Sequence, residues 1–408
     1  MVPHAPGRTR ATLLALGPAF VAAIAYVDPG NVAANLTAGA RYGYLLLWVL
    51  IVANAIAVLV QYQSAKLGIV TGQSLPELLG DRLRTGPRRV YWVQAELVAA
   101  ATDVAEVLGG AIALYLLFGV PLLAGGVIIG VASMLLLSIQ SRGQRPFEVV
   151  IVTLLGVIVV GFMAGLFFSG LDPVEAVAGI VPRFEGTDSV LLATSMLGAT
   201  VMPHAIYLHS ALARDRHGAS HDETRIGALL RATRWDVGGA LFVAGAVNIS
   251  MLLLAASALR GIDGTDTIEG AHAAVVDTLG PTIGVIFAVG LLASGLASTS
   301  VGTYAGSAIM GGLLKVRVPL VLRRVITMIP ALVVLGIGFD PTRALVLSQV
   351  VLSFGIPFAL VPLVWFASSR ALMGRFVNAP WLRVAGWGSA VLISVLNVLL
   401  IVLVVTGG

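Results

Sequence analysis

The chain of 408 residues is 58% hydrophobic and only 11% charged, with a mean hydropathy of +0.97. A soluble domain carries about 25% charged residues, so this composition excludes an ordinary soluble protein and indicates an integral membrane protein. The absence of cysteine excludes a disulfide framework, a Cys-based metal site and a thiol nucleophile.

Eleven apolar segments follow one another along the chain. Each is close to or longer than the ~20 residues that a spanning helix needs, which predicts an all-α membrane protein with eleven transmembrane helices. The segments are 12–40, 44–70, 90–117, 120–140, 147–169, 189–213, 235–259, 272–312, 319–338, 342–369 and 384–406. The segment 272–312 is long enough for one strongly tilted or extended helix. Residues 1–10 are short, polar and basic, which predicts a cytoplasmic tail and not a signal peptide.

The positive charges are strongly biased to one side of this topology. With the N-terminus inside, twenty of the 25 Lys and Arg residues fall in inside loops, Arg323 and Arg324 among them, and only four fall outside. This bias predicts a cytoplasmic N-terminus and, after eleven crossings, an extracytoplasmic C-terminus. The net charge of +5 therefore faces an inner membrane surface, and we expect a lipid bilayer and no nucleic acid as the partner.

The first segment is interrupted by Asp28-Pro29-Gly30-Asn31, and Asp28 is the only charged residue between Arg10 and Arg41. Proline removes a backbone donor and glycine relaxes the backbone, so the helix should open here. An opened helix at membrane depth is tolerated only where it is buried in protein or lines a cavity. An acid in that position indicates a functional site.

The sixth segment is interrupted by Met202-Pro203-His204. Two broken spans in corresponding positions of two halves are typical of an inverted-repeat transporter with its site at the midplane. We therefore predict a single transmembrane domain over 1–408. It consists of a first five-helix repeat at 12–169, a second, inverted repeat at 189–369 and an eleventh helix at 384–406 outside the repeat.

The residue types at the two breaks suit a divalent transition metal. Asp28 offers a hard anionic oxygen, Asn31 an amide oxygen and Met202 a soft thioether. The opened helices also free backbone carbonyls near Ala25 and Ala199, which attract cations. Oxygen ligands alone would suit Mg²⁺ or Ca²⁺, whereas a sulfur ligand favours Mn²⁺, Fe²⁺, Co²⁺ or Cd²⁺. In the tenth span, Gln349 is the best candidate for a further contact to the substrate.

The third span carries three carboxylates within an arc of roughly 80° on one helical face: Glu96, Asp103 and Glu106. Carboxylates aligned inside a membrane often form a proton relay. They could instead be neutralised by partners such as Arg323 or Arg324. The side chains of His204 and His209 titrate near neutral pH as well. These two point about 140° apart on an ideal helix, so we do not expect them to bind one metal together.

Three stretches of the chain, AIAYVDPGN, ATDVAEVLGG and ATVMPHAIYLHSAL, resemble the first, third and sixth spans of the Nramp metal-ion transporters, nearest the bacterial proton-coupled manganese branch. The resemblance implies the LeuT-like fold and import of Mn²⁺ or Fe²⁺ with protons across the bacterial plasma membrane, without a cofactor. It implies metal ligation by side chains and by carbonyls: Asp28, Asn31, Met202, Ala199 and, in some states, Ala25 or Gln349. It also implies a role in proton movement for a second set: Asp28, Asp103, Glu106, His204, His209, Arg323 and Arg324.

Two departures from the family pattern stand out. Ala205 occupies a position where an Asn often follows Met-Pro-His, and the fourth span reads GVASMLLL where many members carry an acid.

A sodium-coupled symporter of a small organic solute is the alternative function on the same fold, but Asp28 would repel a substrate carboxylate. An ion channel would need a continuous polar lining, whereas the polar residues here form one compact cluster. The sequence contains no H-E-x-x-H motif that would indicate a metalloenzyme. We expect a transporter that works as a monomer.

Overall fold

Helices make up all the regular secondary structure in the part of the chain that the computed structural model describes, which is residues 17–140, 144–219, 222–265, 267–316 and 318–406. The predicted cytoplasmic tail at 1–10 and the start of the first segment lie outside these residues. The predicted fold class, an all-α protein with two broken helices, is confirmed.

The broken spans divide the helices into two series. The first series is α1 (Pro18–Ala23), α2 (Pro29–Tyr42), α3 (Leu47–Thr71), α4 (Leu75–Arg82), α5 (Thr85–Phe118), α6 (Leu122–Gln140), α7 (Gln144–Met163) and α8 (Pro173–Ala178). The second is α9 (Gly186–Thr200), α10 (Pro203–His217), α11 (Glu223–Ala258), α12 (Ile268–Leu279), α13 (Pro281–Leu314), α14 (Leu320–Gly336), α15 (Pro341–Ala367), α16 (Arg370–Met373) and α17 (Pro380–Thr406). Short 3₁₀ turns extend α1 over Ile24–Val27 and α7 over Ala164–Phe168.

Nine segments of the described chain are long and apolar enough to cross a membrane. Two further predicted spans fall short of that length. The first span is split into α1 and α2, and α14 has only 17 residues. The count of eleven spans, like the boundaries of the two five-helix repeats, therefore stays a prediction.

The prediction of one long helix over 272–312 is wrong, because the chain turns at Gly280. Gly280 has a φ of +94°, which an L side chain rarely adopts, and Pro281 begins α13 directly after it. Helix α12 therefore ends at Leu279, and α13 is a separate helix of 34 residues.

One surface of α17 is apolar and exposed along its length. The exposed residues Val391, Val395 and Val398 recur at helical spacing. Such a face suits contact with lipid chains, where an exposed apolar side chain costs nothing.

Polar contacts tie the end of α10 to the short helix α4. The Leu75 backbone N–H donates to Ser210 Oγ at 2.9 Å, and Arg214 forms an ion pair with Glu77. Burial alone would raise the pKa of the Glu77 carboxyl, but hydrogen bonds from Ser74 and the charge of Arg214 lower it below its usual value. The Glu77 carboxylate is therefore ionised at neutral pH and holds α4 against α10.

A carboxylate of α11 caps the start of α1. The backbone N–H groups of Gly17 and Ala19 donate to the two carboxylate oxygens of Asp236, each at 3.1 Å. Helix starts leave N–H groups without partners inside the helix, and an acid at that end is electrostatically favourable. This contact fixes the first half-helix of the broken first span against α11.

A cavity of about 650 Å³ lies at the opposite end of the bundle from these contacts, between α2, α9 and α15. Its lining includes Thr37 of α2, Leu192 of α9 and Val346 of α15. The same three helices carry Asn31, Ala199 and Gln349, so the cavity lies within about two helical turns of the predicted site.

Candidate metal centre

At the first break, Asp28 takes an extended conformation (φ −67°, ψ 171°) before α2. Its carboxylate accepts hydrogen bonds from the backbone N–H groups of Gly30 and Asn31, each at 3.0 Å. Pro29 occupies the first position of α2, where the missing N–H is not needed. The helix opens here because the fully buried aspartate caps a new helix.

The side chain of Asn31 connects the two broken spans. Its Nδ2 donates to Asp28 Oδ1 at 2.6 Å and to the backbone oxygen of Ala199 at 2.8 Å. Thr200 Oγ1 donates to Asn31 Oδ1 at 3.4 Å. A carboxylate oxygen and a carbonyl oxygen, one from each break, therefore converge on a single donor group.

The second break covers Val201 and Met202, between the end of α9 and the start of α10. Val201 (φ −106°, ψ 65°) and Met202 (φ −69°, ψ 126°) leave helical geometry, and Pro203 begins α10. Met202 is fully buried. The thioether thus lies at a helix break inside the protein, as the sequence predicts.

Gln349 of α15 lies against the first break. A Cβ added to Gly30 would overlap the carboxamide of Gln349, so only glycine permits this close approach. Gln349 Nε2 donates to Ser348 Oγ at 3.2 Å, whereas its buried Oε1 has no hydrogen-bond partner among the described residues. An unpaired buried amide oxygen is costly unless a ligand completes it.

Two of the carbonyls that the first break frees are already occupied. The Tyr26 oxygen accepts from Asn248 Nδ2 at 2.7 Å, and the Val27 oxygen accepts from Ser294 Oγ at 2.6 Å. Asn248 also accepts from Asn35 Nδ2 at 3.0 Å, which joins both half-helices to α11. Sequence reasoning missed Tyr26 and Ser294, because a freed carbonyl does not reveal its partner. Ala25, just before them, is buried and stays a predicted ligand.

Both arginines of α14 pair with acids of the third span. Arg323 Nη2 lies 2.7 Å from Glu96 Oε1, and Arg324 Nη1 lies 2.9 Å from Asp103 Oδ1. Their assignment to an inside loop is wrong, since both side chains are buried within the bundle. Arg324 also donates to Ser133 Oγ at 3.0 Å. Buried cations of this kind need partners, and the third span supplies them.

We expect Arg324→Gln to lower the free energy of unfolding by about 3–5 kcal/mol, because it leaves the buried Asp103 carboxylate without its partner. Unfolding of the detergent-solubilised protein, followed by circular dichroism, measures this loss. The double variant Asp103→Asn/Arg324→Gln removes both charges and should recover most of it. A double variant as unstable as the single one would show that the pair does not account for the effect.

Glu106 is the acid of the third span without an arginine partner. It is buried, faces Gly302 of α13 and lies three residues after Asp103 on the same face of α5. Its Oε2 has no hydrogen-bond partner among the described residues. Glu106 therefore lies one helical turn along α5 from the Asp103–Arg324 pair.

The two histidines of α10 face different helices. His204 Nδ1 lies 3.3 Å from Thr102 Oγ1 of α5, whereas His209 Nδ1 lies 2.7 Å from Gln61 Oε1 of α3. Within the described ranges, no three His, Asp or Glu side chains are grouped as metal ligands. A metal at the breaks would therefore bind a mixed set of one carboxylate, amides, a thioether and carbonyls.

Residues 19–403 match the sequence profile described as natural resistance-associated macrophage protein-like, or Nramp. The chain belongs to the Nramp family. Nramp proteins are membrane transporters and not enzymes, and this chain is accordingly a multi-pass membrane protein.

Relatives and solved structures agree with this assignment. The divalent metal cation transporter MntH of Mycobacterium tuberculosis is 62% identical to this Nramp chain over 393 residues, which cover 96% of this chain and 92% of the relative. The Eremococcus coleocola manganese transporter, solved with an aromatic bis-isothiourea substituted compound, matches with a TM-score of 0.87 and 31% identity, over 98% of this chain and 88% of its own.

A more distant match concerns the fold alone. MhsT, solved in complex with L-phenylalanine, has a TM-score of 0.62 at 14% identity, over 94% of this chain and 97% of its own. This match confirms the predicted LeuT-like fold.

Proposed function

We propose that this chain imports divalent transition metal ions, Mn²⁺ above all and also Fe²⁺, Co²⁺ and Cd²⁺, together with protons. The observation that carries the proposal is the convergence of Asp28 Oδ1 and the Ala199 oxygen on the amide group of Asn31. The printed names of the Mycobacterium tuberculosis and Eremococcus coleocola relatives, which refer to divalent metal cations and to manganese, support it.

The ligand set favours a cation of intermediate softness. Asp28 and the Ala199 carbonyl already aim oxygens at one point, and rotation of the Asn31 carboxamide would add a third oxygen there. Met202 supplies the thioether, while Gln349 and the Ala25 carbonyl complete the set in states where they reach the ion. Sulfur together with few oxygens disfavours Ca²⁺ and Mg²⁺, which prefer a full oxygen shell.

The arrangement of cavity and contacts fits a carrier whose site is enclosed by protein, with a cavity on the predicted outer side. The cavity between α2, α9 and α15 ends within about two helical turns of the site, whereas the Arg214–Glu77 pair keeps α10 and α4 together at the other end. We infer alternating access, in which the half-helices of the broken spans swing around the bound ion. The positive-inside bias supports insertion in the bacterial plasma membrane with a cytoplasmic N-terminus.

Protons would move from Asp28 toward the third span. Glu106 has a carboxyl oxygen without a hydrogen-bond partner among the described residues and lies one helical turn from Asp103, so it is placed to hold a proton that the incoming cation displaces. Asp103 and Arg324 continue the path, with Arg323 at its end, and His204 and His209 flank it on α10.

We expect Glu106→Gln to reduce the acidification that accompanies Mn²⁺ uptake to the background of protein-free vesicles, because the amide cannot take up and release a proton. A pH-sensitive dye inside proteoliposomes measures this change beside Mn²⁺ flux. Glu269 is a partly buried acid of α12, and Glu269→Gln is the control that should leave coupling intact. Unchanged acidification per Mn²⁺ ion in Glu106→Gln would remove Glu106 from the path.

The whole proposal is tested by Mn²⁺ uptake into proteoliposomes with Ca²⁺ or Mg²⁺ as competitor, while internal pH is followed. Mn²⁺ uptake that resists the competitors and acidifies the interior is the expected result. Saturable uptake of a small organic solute driven by Na⁺, without metal flux, would favour the symporter alternative. Mn²⁺ uptake without acidification would keep the metal site and leave Asp103 and Glu106 as structural acids.

A further inference from the structure

A second cavity, of about 640 Å³, lies between α3, α11 and the segment that leads into α17. Four cationic side chains line it: Lys66, Arg231, Arg234 and Arg375. None of the described residues that line it is acidic. None of its lining residues belongs to the predicted metal site, so the cavity needs its own explanation.

Lys66 is the most deeply placed of these cations. The residue is only 5% exposed, and its Nζ donates to Asn378 Oδ1 at 2.9 Å. Asn378 is itself held by Gln63, whose Oε1 accepts from Asn378 Nδ2 at 2.6 Å. No carboxylate of the described residues pairs with Lys66, and a buried ammonium without a counter-ion is costly. An anion in the cavity would supply the counter-charge that Lys66 lacks among the described residues.

Two of the three arginines have contacts that hold them at the rim of the cavity. Arg234 Nε donates to Tyr62 Oη at 3.3 Å, and its guanidinium lies 5.4 Å from the centre of the Tyr62 ring. Arg375 pairs with Glu223 at 2.6 Å, on an exposed surface where such a pair contributes little. That acid balances one of the four cations, so the cavity keeps a positive charge.

The surroundings of the cavity are those of a membrane interface. Trp381 at its edge is 64% exposed, and Trp235 next to Arg234 is 79% exposed. Exposed tryptophans of this kind mark the headgroup level of a bilayer. Apolar side chains complete the wall: Val58, Leu59, Leu230, Val237 and Leu382. A free anion would leave this wall in contact with water, whereas a lipid would cover it.

We propose that this cavity binds the phosphate headgroup of an anionic phospholipid from the leaflet on the predicted inner side. The phosphate lies between Lys66 and the arginines, and the first part of an acyl chain covers the apolar wall. Basic pockets between membrane helices on this side suit such headgroups. Because the ligand joins α3 and α11 to the segment before α17, its binding stabilises these elements together.

The test compares binding of phosphatidylglycerol and phosphatidylcholine to delipidated protein in detergent, by native mass spectrometry and by the shift in Tm. We expect wild-type protein to bind phosphatidylglycerol preferentially. Arg231→Gln/Arg234→Gln should weaken this binding about 25-fold, at about fivefold for each basic residue near the headgroups. Arg89→Gln is the matched control, since Arg89 is an exposed arginine that lies outside the cavity.

Three results would overturn the proposal. Equal binding of the two lipids would show that the anionic headgroup is not recognised, and an equal loss in Arg89→Gln would show general surface charge. Inorganic phosphate that produces the full Tm shift of phosphatidylglycerol would assign the cavity to free phosphate. If the double variant unfolds before lipid is added, Arg231→Gln alone replaces it, with a fivefold loss expected. None of these measurements uses transport, so they are independent of the proposed metal import.

Discussion

Replacement of Asp28 by alanine should abolish Mn²⁺ uptake, and replacement by asparagine should lower it by on the order of 100-fold or more. Even groups that only support a metal ligand contribute roughly 10- to 100-fold, and Asp28 is the one anionic ligand of the proposed set. Asparagine is the sharper probe because it also caps helices well, so α2 should still begin at Pro29. Mn²⁺ uptake by proteoliposomes measures both variants.

Asp172→Asn is a matched control for this experiment. Asp172 also precedes a proline, and its side chain also accepts hydrogen bonds from two backbone N–H groups at the start of a helix, but it lies on the surface. We expect normal uptake in this variant. Normal uptake in Asp28→Asn would sink the assignment of Asp28, whereas a loss in both variants would point to helix capping instead of metal binding.

The second large effect should come from Met202→Ala, which removes the only sulfur of the proposed site. We expect the preference for Mn²⁺ over Ca²⁺ and Mg²⁺ to fall on the order of tenfold, or about 1.4 kcal/mol. The physical reason is that the remaining oxygen ligands, with water in the vacated space, suit hard cations. Competition of Ca²⁺ and Mg²⁺ with Mn²⁺ uptake measures the change.

Met196→Ala separates selectivity from packing. Met196 lies in α9 of the same broken span and is fully buried in the core. Truncation of Met196 should lower the free energy of unfolding by about 2–5 kcal/mol, as is typical for a buried methionine, and should leave the order of preference among metal ions unchanged. An unchanged order in Met202→Ala would show that the sulfur does not select the ion.

The two helix breaks could be predicted because their causes are local. Proline at the first position of α2 and of α10 cannot continue a preceding helix, and Asp28 provides the cap within three residues. The arrangement between the breaks could not be derived. The contact of Asn31 with Ala199 joins residues 168 positions apart, and no local pattern determines such a distance.

The wrong prediction of one helix over 272–312 did not arise from a long-range contact, because its signal at Gly280 is local. The residues on both sides of Gly280-Pro281 are apolar enough to form one hydropathy segment. Hydropathy shows how apolar a segment is, but it does not show whether the chain turns within it. The glycine–proline pair is a local signal for a turn that hydropathy does not register. The loop assignment of Arg323 and Arg324 failed for a related reason, since charge alone does not distinguish a solvated arginine from one paired with a buried acid.

The cap on α1 has a mechanical consequence. Asp236 holds the free end of this half-helix through Gly17 and Ala19, and Asn248, about three turns further along α11, holds its other end at Tyr26. Both ends of α1 are therefore held by side chains of the same helix, α11. A swing of α1 away from α11 that keeps the contact at Tyr26 requires the two hydrogen bonds to Asp236 to break. The ease of that swing therefore depends in part on one carboxylate, 217 positions away along the chain from Ala19.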